Sequence, residues 1–283
     1  MQDSIRKADI LIEALPYIQA FRGKVMVAKY GGSALDNVPA MRGILQDLVF
    51  LSEVGIRSVL VHGGGPAITR KLEASGRRSV FIDGMRVTDR TTVRVVDREL
   101  SNINGRLVQE IRALGGRARG LAGGRRVIAA SAHARAKQLG YVGTVRAVRA
   151  EPIRAAFVRH GVPVISPIGQ GPGGQLYNIN ADDVASEVAV RLGAEKLVLF
   201  TNVRGILRRG RTPDSLISTL TGAQARRLLA RGVIAGGMIP KVRACVQAVA
   251  RGVKKTHIID AGIPHAMLLE IFTKKGIGTE ITR

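Results

Sequence analysis

The sequence has no tryptophan, only 4% aromatic residues and a single cysteine, Cys245. One cysteine cannot form an internal disulfide, so we expect a fold without covalent crosslinks in the reducing cytoplasm. The scarcity of aromatic side chains removes the stacking surfaces that nucleic-acid-binding modules use. No apolar run approaches the roughly 18 residues of a membrane span, and the N-terminus lacks the pattern of a secretion signal. These absences favour a cytoplasmic globular protein and disfavour membrane or nucleic-acid partners.

Acidic residues are also scarce in this chain. Its 283 residues include 44 Lys and Arg but only 21 Asp and Glu, which gives a formal net charge of +23. A field of this strength attracts polyanions at low salt. The arginines are dispersed over predicted helix faces and loops, so two interpretations stay open: a solvated basic surface, or a surface for an acidic partner.

The chain alternates short apolar runs with helical patterns. The predicted strands are 24–30, 57–62, 79–82, 127–130, 162–166, 196–201 and 256–260, and the predicted helices are 37–53, 66–74, 91–114, 181–192, 222–231 and 240–251. Most of these strands are continuously apolar, as in a sheet that is covered on both faces. The alternation therefore predicts an α/β fold with a mostly parallel, doubly wound sheet.

An amphipathic helix precedes the first predicted strand, in "SIRKADILIEALPYIQAF", with Pro16 near its end as a kink. Its apolar face packs either on the body of the same chain or on another subunit, and the sequence leaves both open. The polar, glycine-bearing stretch 169–175 is the most plausible junction between two lobes.

Three glycine-containing turns border predicted strands or helices, and their backbone amides could bind an anion. "VMVAKYGGSAL" places Lys29, Gly31 and Gly32 at the end of the first strand, "VHGGGPAI" ends the second, and "GGMIPK" begins a helix that carries Lys241. In open parallel sheets, ligands bind beyond the carboxyl ends of the strands, where amide N–H groups and helix N-termini face an anion. Each turn alone is commonly just a tight connection, but the three together predict a site that neutralises several phosphate charges.

Two further segments supply polar side chains for such a site. "YNINADDVASEVAVRL" brings Asn178, Asn180 and Asp182 to the start of a helix, where a plain helix cap would explain one of the three. A carboxylate there would hold the two lysines in place. "FIDGMRVTD" offers Arg86, either to grip a substrate carboxylate or as an ordinary surface arginine.

Stretches along nearly the whole chain resemble the amino acid kinase family, and within it the acetylglutamate kinases that arginine inhibits. These stretches are "AKYGGSAL", "LVHGGGPAI", "DGMRVTD", "GYVGTV", "PVISPIG", "YNINADDVASEVA", "AEKLVLFTNVRGIL", "GVIAGGMIPKV" and "PHAMLLEIFTKKGIGTEI". The resemblance implies a three-layer α/β/α sandwich with about eight strands. It also implies an N-terminal oligomerisation helix (1–21), an acetylglutamate-binding lobe (22–170) and an ATP-binding lobe (171–283).

The same resemblance assigns roles to individual residues. Lys29 and Lys241 would stabilise the transferring phosphoryl group, and Asp182 would orient both lysines. The residues implied for N-acetyl-L-glutamate are Gly64, Gly65, Arg86 and Asn178, and those implied for the phosphates and the nucleotide are Gly31, Gly32, Thr201, Gly205 and Gly237. Magnesium would arrive with ATP, held mainly by phosphate oxygens, and no protein metal site is expected.

Oligomerisation and regulation are implied in the same way. The N-terminal helix matches the one that joins dimers into a hexamer in the arginine-inhibited relatives, and some relatives are controlled by a PII signalling protein. The positions implied for the effector L-arginine are Tyr17, Lys196, Glu270 and Gly276. Each of these residues also has a purely structural alternative. Lys196 would be an exposed lysine, and Glu270 would be a solvated residue on the last helix.

The chain also departs from the family pattern. Asn202 replaces an aspartate near the nucleotide, and "HIIDAGIPH" replaces a segment that usually has an arginine. The stretches 120–126 and 208–211 have become rich in arginine. We therefore expect Lys29, Asp182 and Lys241 to support catalysis, and the nucleotide affinity or the regulation to differ from that of the family.

The resemblance implies ATP-dependent phosphorylation of the γ-carboxylate of N-acetyl-L-glutamate, the second step of arginine biosynthesis. Two alternatives remain at this stage. One is a related kinase whose substrate is attached to an acidic carrier protein, which would explain the charge of +23. The other is a non-catalytic paralogue that senses arginine or binds polyanions.

Overall fold

The computed structural model of the protein describes residues 1–122, 127–158, 160–208, 215–273 and 276–283. The strands are β1 (Val25–Tyr30), β2 (Arg57–His62), β3 (Phe81–Ile82), β4 (Met85–Arg86), β5 (Arg117–Leu121), β6 (Ile128–Ala132), β7 (Gly143–Val148), β8 (Gly161–Ile165), β9 (Ile168–Gln170), β10 (Leu176–Asn178), β11 (Lys196–Thr201), β12 (Thr219–Thr221), β13 (Lys255–Asp260) and β14 (Thr279–Thr282). The helices are α1 (Gln2–Phe21), α2 (Val38–Glu53), α3 (Gly65–Glu73), α4 (Arg90–Ala113), α5 (Ala136–Leu139), α6 (Glu151–Phe157), α7 (Ala181–Leu192), α8 (Gly222–Ala230), α9 (Met238–Ala250) and α10 (Ala266–Phe272).

Eight strands form the central sheet, in the order β12-β14-β13-β11-β1-β2-β8-β5. Every neighbouring pair in it is parallel except β13 with β14. Helices cover both faces of the sheet, which confirms the predicted α/β architecture. The carboxyl ends of β1, β2 and β11 lie side by side at one edge, which is where a ligand site is expected.

Alternate residues of β1 belong to the two different cores. Met26, Ala28 and Tyr30 pack with buried residues of α2, α4 and α10. Val27 packs with buried residues of α7 and α9 on the opposite face. Because side chains alternate along a strand, Lys29 points to the side of α7 and α9.

Four short strands form a second sheet, in the order β10-β9-β6-β7, and β3 and β4 make a hairpin. Of these strands, the sequence predicted β6 and one strand of the hairpin. The predicted strand 79–82 is shorter in the structure, where only β3 (Phe81–Ile82) is extended and paired. The predicted lobe junction at 169–175 falls in the antiparallel turn between β9 and β10. The division into two lobes stays a prediction. The arginine-rich departures at 123–126 and 209–211 lie outside the described residues.

The N-terminal helix α1 continues through Pro16 to Phe21. Near its end, the ring of Tyr17 meets the ring of Phe272 edge to face at 6.1 Å between centroids. Its earlier apolar side chains, Ile5, Ile10, Leu11, Ile12 and Leu15, are all exposed. Only the last turns of α1 therefore pack on the body of the same chain. Across the described part of the chain, no helix combines the length and the apolar character that a membrane crossing requires.

Candidate active site

Lys29, Asp182 and Lys241 form one buried charged cluster. The Lys29 Nζ atom lies 3.0 Å from Asp182 Oδ1, and the Lys241 Nζ atom lies 3.0 Å from Asp182 Oδ2. The Asp182 side chain is 6% exposed, and those of Lys29 and Lys241 are 8% and 15% exposed. The structure thus brings together the three residues that the sequence predicted as a catalytic set.

Local structure explains how three separate segments meet here. Lys29 lies near the end of β1 on the face toward α7 and α9. Asn180 caps α7, since its Oδ1 atom accepts a hydrogen bond from the Asp182 N–H at 2.8 Å, which fixes Asp182 in the first turn. Lys241 lies in the first turn of α9. The cap interpretation was therefore correct for Asn180, while Asp182 is free to bind the lysines.

Burial and charge oppose each other in this cluster. Burial lowers the pKa of the Lys29 ammonium, and Lys241 adds to this effect, whereas Asp182 opposes it. Burial alone would raise the pKa of the Asp182 carboxyl, but Lys29 and Lys241 outweigh it and hold that pKa below its usual value. With both lysines protonated, the cluster carries one net positive charge in a site that is shielded from water.

The glycine turns after β1 and β2 touch each other. The Gly63 N–H donates a hydrogen bond to the Tyr30 carbonyl oxygen at 2.8 Å. A Cβ atom on Gly31 would lie 2.9 Å from Gly63 Cα and 3.3 Å from Lys29 Nζ. Only glycine permits this approach, because the obstacle at position 31 is largely backbone. The turns form a continuous surface of backbone beside Lys29.

A cavity of about 270 Å³ opens next to this surface. Six of the predicted site residues line it: Lys29, Gly32, Gly64, Gly65, Arg86 and Asn178. Apolar side chains that sequence reasoning did not identify complete the wall, namely Ile68, Phe81, Met85, Leu100, Val142, Pro167 and Ile179. Their apolar character gave no functional signal in the sequence, since it is equally typical of core positions.

Arg86 is buried, so the alternative of an ordinary surface arginine is wrong. Its guanidinium donates hydrogen bonds to Thr69 Oγ1 at 2.7 Å and to the Gly65 carbonyl oxygen at 3.0 Å, and it also contacts the Ser79 hydroxyl. The ring of Phe81 lies 4.6 Å from the guanidinium carbon. These contacts fix the orientation of the guanidinium at the cavity wall.

Asn178 is connected to Arg86 through Thr88. The Asn178 Nδ2 atom donates to Thr88 Oγ1 at 3.2 Å, and Thr88 Oγ1 donates to the Arg86 carbonyl oxygen at 2.7 Å. Thr88 is fully buried. The two residues that the sequence predicted for a substrate carboxylate are therefore held in one hydrogen-bonded chain.

Thr201, Gly205 and Gly237 do not line this cavity. Thr201 ends β11 with a buried side chain, and Gly205 follows in the next loop with a φ of +145°. A Cβ atom there would lie 2.6 Å from Thr279 Oγ1 and 3.0 Å from the Thr279 backbone nitrogen. Gly237 directly precedes α9, which carries Lys241. Of these three residues, Gly237 therefore borders an element of the charged cluster, whereas Thr201 ends the strand that neighbours β1.

A second polar cluster lies at the start of β11, the strand that Thr201 ends. It includes residues that were predicted to bind an arginine effector. The Lys196 Nζ atom donates to the Glu270 carbonyl oxygen at 3.3 Å and lies 5.5 Å from the centroid of the Phe21 ring. Both Lys196 and Glu270 are buried, so the alternatives of an exposed lysine and a solvated glutamate are wrong. Burial lowers the pKa of the Lys196 ammonium, although Glu270 partly opposes it.

The carboxylate of Glu270 organises the rest of this second cluster. Its Oε1 atom lies 2.8 Å from His257 Nδ1, and its Oε2 atom accepts from the Ile277 N–H at 3.0 Å. A Cβ atom on Gly276 would lie 3.1 Å from Glu270 Oε1. Burial would raise the pKa of the Glu270 carboxyl, but His257 and Lys196 hold it below its usual value. The ring of Tyr17 contacts that of Phe272, two residues after Glu270 on α10.

Sequence reasoning missed a buried polar network beneath the second glycine turn. His62, Asn104 and Ser166 are almost completely buried and hydrogen-bonded to one another. Burial lowers the pKa of His62 to about 4, although a hydrogen bond to Gly63 partly opposes it. Each of the three is a polar residue at the end of, or within, an otherwise apolar segment. This was the feature of the sequence that could have identified the network.

Within the described ranges, no group of three or more His, Cys, Asp or Glu side chains could hold a metal ion. The donors at the site are instead ammonium groups, a guanidinium and backbone amides. This donor set suits anions such as phosphates and carboxylates.

Comparisons with known proteins agree with this chemistry. The sequence model of the amino acid kinase family matches residues 24–260. The acetylglutamate kinase of Moorella thermoacetica is 48% identical over 98% of this chain and 97% of its own length. That of Desulforamulus reducens is 45% identical over 99% of both chains.

Solved structures show the same fold. N-acetylglutamate synthase from Neisseria gonorrhoeae, complexed with coenzyme A and N-acetyl-glutamate, superposes with a TM-score of 0.85 at 28% identity. The match covers 96% of this chain but only 62% of the synthase. Carbamate kinase from Giardia lamblia bound to AMP-PNP, at 17% identity and a TM-score of 0.66 over 92% of this chain and 99% of its own, is similar in fold alone. By its sequence over nearly its whole length, the chain belongs to the amino acid kinase family.

Proposed function

We propose that this chain transfers the γ-phosphoryl group of ATP to the γ-carboxylate of N-acetyl-L-glutamate, the acyl-phosphate-forming step of arginine biosynthesis. The observation that carries the proposal is the buried Lys29–Asp182–Lys241 cluster at the edge of a cavity that also holds Arg86 and Asn178. The identity of 48% to an acetylglutamate kinase over almost the whole chain supports the choice of substrate.

The obstacle in this reaction is the approach of one anion to another. The γ-carboxylate is already ionised at neutral pH, because an ordinary glutamate carboxyl has a pKa of about 4.3, so no general base is needed. Catalysis then consists of positioning the two substrates and stabilising the charge on the phosphoryl group. Lys29 and Lys241 provide that positive charge, and Asp182 keeps both ammonium groups in position.

The substrates are placed by the elements on either side of the lysines. Arg86 and Asn178 bind the α-carboxylate of N-acetyl-L-glutamate at the cavity wall, while Gly64 and Gly65 present backbone N–H groups to this substrate and to the transferring phosphoryl group. Gly31 and Gly32 present their amides to the phosphates next to Lys29. The nucleotide lies toward Thr201, Gly205 and Gly237, so that its γ-phosphoryl group reaches the lysines.

Magnesium would arrive with ATP, held mainly by the phosphate oxygens, and would neutralise part of their charge. The groups that line the cavity include an ammonium, a guanidinium and backbone amides, which suit the phosphate oxygens. The protein residues near the phosphates are then the lysines and the glycine amides, which act on the phosphoryl oxygens directly.

Regulation is part of the same proposal. Tyr17, Lys196, Glu270 and Gly276 form the site for L-arginine, since their cluster combines a carboxylate for a cation with a lysine for a carboxylate. The apolar side chains of α1 are exposed, which favours packing of this helix on another subunit over packing on its own chain. The assembly would be a hexamer built from dimers. A PII-type protein is a further candidate regulator.

A second candidate function rests on the charge of +23. A kinase that acts on a substrate attached to an acidic carrier protein would use such a surface. Binding to a polyanion would weaken steeply with rising salt, whereas turnover of a free substrate would change little.

Hydroxylamine trapping of the acyl phosphate tests the proposal. The enzyme is incubated with ATP, magnesium and one of three acids: N-acetyl-L-glutamate, free glutamate or aspartate. We expect signal only with N-acetyl-L-glutamate and its loss in Lys241→Ala. Lys255→Ala is the matched control, since it removes an exposed lysine that is ion-paired with Glu280 at 2.9 Å. No signal from any free acid with a folded wild-type protein would contradict the proposal.

A further inference from the structure

We propose that His62 is a positioning residue that orients the Gly63–Gly64 peptide and thereby aims the Gly64 N–H at the reacting phosphoryl group. This inference rests on the proposed function and adds to it three buried residues, His62, Ser166 and Asn104, that do not line the cavity. His62 and Ser166 are 0% exposed, and Asn104 is 2% exposed.

The hydrogen bonds of His62 define which ring nitrogen carries the proton. His62 Nδ1 lies 3.0 Å from the Gly63 carbonyl oxygen. A carbonyl oxygen can only accept, so Nδ1 is the protonated nitrogen of the neutral ring. Nε2 is then an acceptor, and it lies 3.0 Å from Ser166 Oγ and 3.2 Å from Asn104 Nδ2.

Ser166 and Asn104 fix this tautomer from the other side of the ring. Asn104 Nδ2 donates to the Val164 carbonyl oxygen at 2.9 Å and lies 3.2 Å from Ser166 Oγ. Because the asparagine amide is a donor to Ser166, the serine hydroxyl hydrogen is left to donate to His62 Nε2. The two hydrogens of Asn104 Nδ2 are used by Val164 and Ser166, so Ser166 is the donor to Nε2, and Nδ1 is the ring nitrogen that is left to donate.

The Gly63 backbone is consequently held at both of its polar groups. Its N–H donates to the Tyr30 carbonyl oxygen at 2.8 Å, and its carbonyl oxygen accepts from His62. In a planar trans peptide, the carbonyl and the following N–H point in opposite directions. Since the Gly63 carbonyl points to the buried ring, the Gly64 N–H points away from it, toward the cavity that Gly64 lines.

The start of α3 makes this single amide important. Gly64 is the N-cap of α3 and Pro66 is among its first residues. Proline has no N–H, so the donors at this helix end are reduced to the amides of Gly64, Gly65 and Ala67. An error in the Gly63–Gly64 peptide plane would therefore remove a large share of the hydrogen bonds available to the phosphoryl oxygens.

Two substitutions at position 62 separate orientation from simple packing. In His62→Asn, the amide Nδ2 atom can take the place of the ring Nδ1 and still donate to Gly63. In His62→Gln, the longer side chain reaches toward Ser166 and Asn104 but offers no donor at the Nδ1 position. Asparagine is the smaller residue, so it leaves the larger cavity and is expected to cost at least as much stability.

We expect His62→Gln to lower kcat by about 10- to 100-fold with little change in the KM for N-acetyl-L-glutamate. This is less than the about 100- to 1000-fold loss on removing one preorganised donor, because the Gly64 N–H remains but is no longer held in one orientation. His62→Asn should stay within about fivefold of the wild-type kcat although its melting temperature is equal or lower. Ser166→Ala should lower kcat by a few fold. Ser58→Ala is its matched control, because Ser58 is a fully buried serine on β2 whose hydroxyl lacks a hydrogen-bond partner among the described residues.

A loss of kcat that follows the loss of melting temperature in both variants would overturn the inference, as would a wild-type kcat in His62→Gln. Nitrogen-15 NMR of histidine-labelled protein gives a readout that does not depend on turnover, with the His62 signal assigned by its absence in His62→Gln. A ring protonated at Nε2 would also overturn the inference. A wild-type enzyme that is inert on N-acetyl-L-glutamate would instead contradict the proposed function, and with it any catalytic role of His62.

Discussion

Lys29 and Lys241 bind the same carboxylate from two different elements, with each Nζ atom 3.0 Å from one oxygen of Asp182. One lysine comes from the end of a central strand and the other from the first turn of a helix, and the carboxylate binds both. Two ammonium groups this close repel each other. Asp182 therefore determines both where the positive charge lies and whether both lysines keep their protons.

Replacing Asp182 by asparagine should lower kcat and shift its pH dependence. The pKa of Lys29 is already lowered by burial, and Asp182 is the group that opposes this shift. Without the carboxylate, that pKa falls further, so Lys29 loses its proton at a lower pH. We expect Asp182→Asn to lower kcat at least about 100-fold, and to move the alkaline decline of kcat to lower pH.

The measurement is kcat for N-acetyl-L-glutamate between about pH 6 and about pH 10. Glu187→Gln is the control, since it removes a carboxylate of the same helix that is ion-paired with Arg251 away from the lysines. A wild-type kcat and an unshifted alkaline decline in Asp182→Asn would show that the carboxylate does not govern the lysines.

Gly205 and Gly237 differ in what a side chain would meet, which makes them a test of the nucleotide position. Gly205 has a φ of +145°, and a Cβ atom would lie 2.6 Å from Thr279 Oγ1. Gly237 has a φ of −65°, and a Cβ atom there has nothing within 4 Å. We expect Gly205→Ala to lower the free energy of unfolding by about 2–3 kcal/mol, and Gly237→Ala to leave it nearly unchanged.

The two variants should then differ in their kinetics. If Gly237 lines the nucleotide site, the methyl group of Gly237→Ala enters the space of the phosphates, so the KM for ATP should rise several fold while the melting temperature stays constant. Chemical denaturation and ATP titrations measure both quantities. An unchanged KM for ATP in Gly237→Ala would remove this residue from the predicted nucleotide set.

The edge of the sheet where the site lies could be predicted from the sequence. Lys29 and the glycines after β1 and β2 follow continuously apolar runs, and parallel strands bring such ends together. The Lys29–Asp182–Lys241 cluster also had a local signal, because Asn180 and Asp182 open a clear amphipathic helix. Helix α4, with its long apolar periodicity, was predicted to within one residue at each end.

The second sheet and the network under the glycine turn could not be predicted in this way. Strands β9 and β10 have three residues each, which is too short for an alternating pattern to emerge. His62, Asn104 and Ser166 come from a strand end, a helix and a loop, and their hydrogen bonds depend on the tertiary packing of all three. The burial of Lys196 and Glu270 has the same origin, since they are paired across 74 positions in sequence.

Cys245 offers a probe of unfolding that is independent of activity. The thiol is fully buried on α9, and burial raises its pKa to about 12. A thiol reagent at about pH 8 should therefore label the native protein at least about 1000-fold more slowly than the denatured chain. Labelling of native protein at the rate of a free thiol would contradict the burial of α9 against the sheet. The reaction in guanidinium chloride, with one thiol per chain, is the control.

The last prediction concerns the response to arginine and depends on Glu270. Its carboxylate is held ionised within the second cluster, where His257 and Lys196 keep its pKa low. If L-arginine binds here as proposed, its cationic group would donate a charge-assisted hydrogen bond to this carboxylate, and a neutral amide of the same shape would not replace that bond. We expect Glu270→Gln to raise the concentration of L-arginine for half-inhibition at least about tenfold, consistent with the loss of about 1.5–3 kcal/mol for a hydrogen bond to a charged group.

The measurement is the ratio of inhibited to uninhibited rate over a series of L-arginine concentrations, so that a change in basal rate cancels. Glu187→Gln is the matched control, because it removes a carboxylate that is ion-paired with Arg251 at the surface. Glu270→Gln with wild-type sensitivity would move the arginine site away from this cluster. A wild-type enzyme that arginine does not inhibit would contradict the regulatory part of the proposal, and the buried Lys196–Glu270–His257 cluster would then serve only to hold α10 against the sheet.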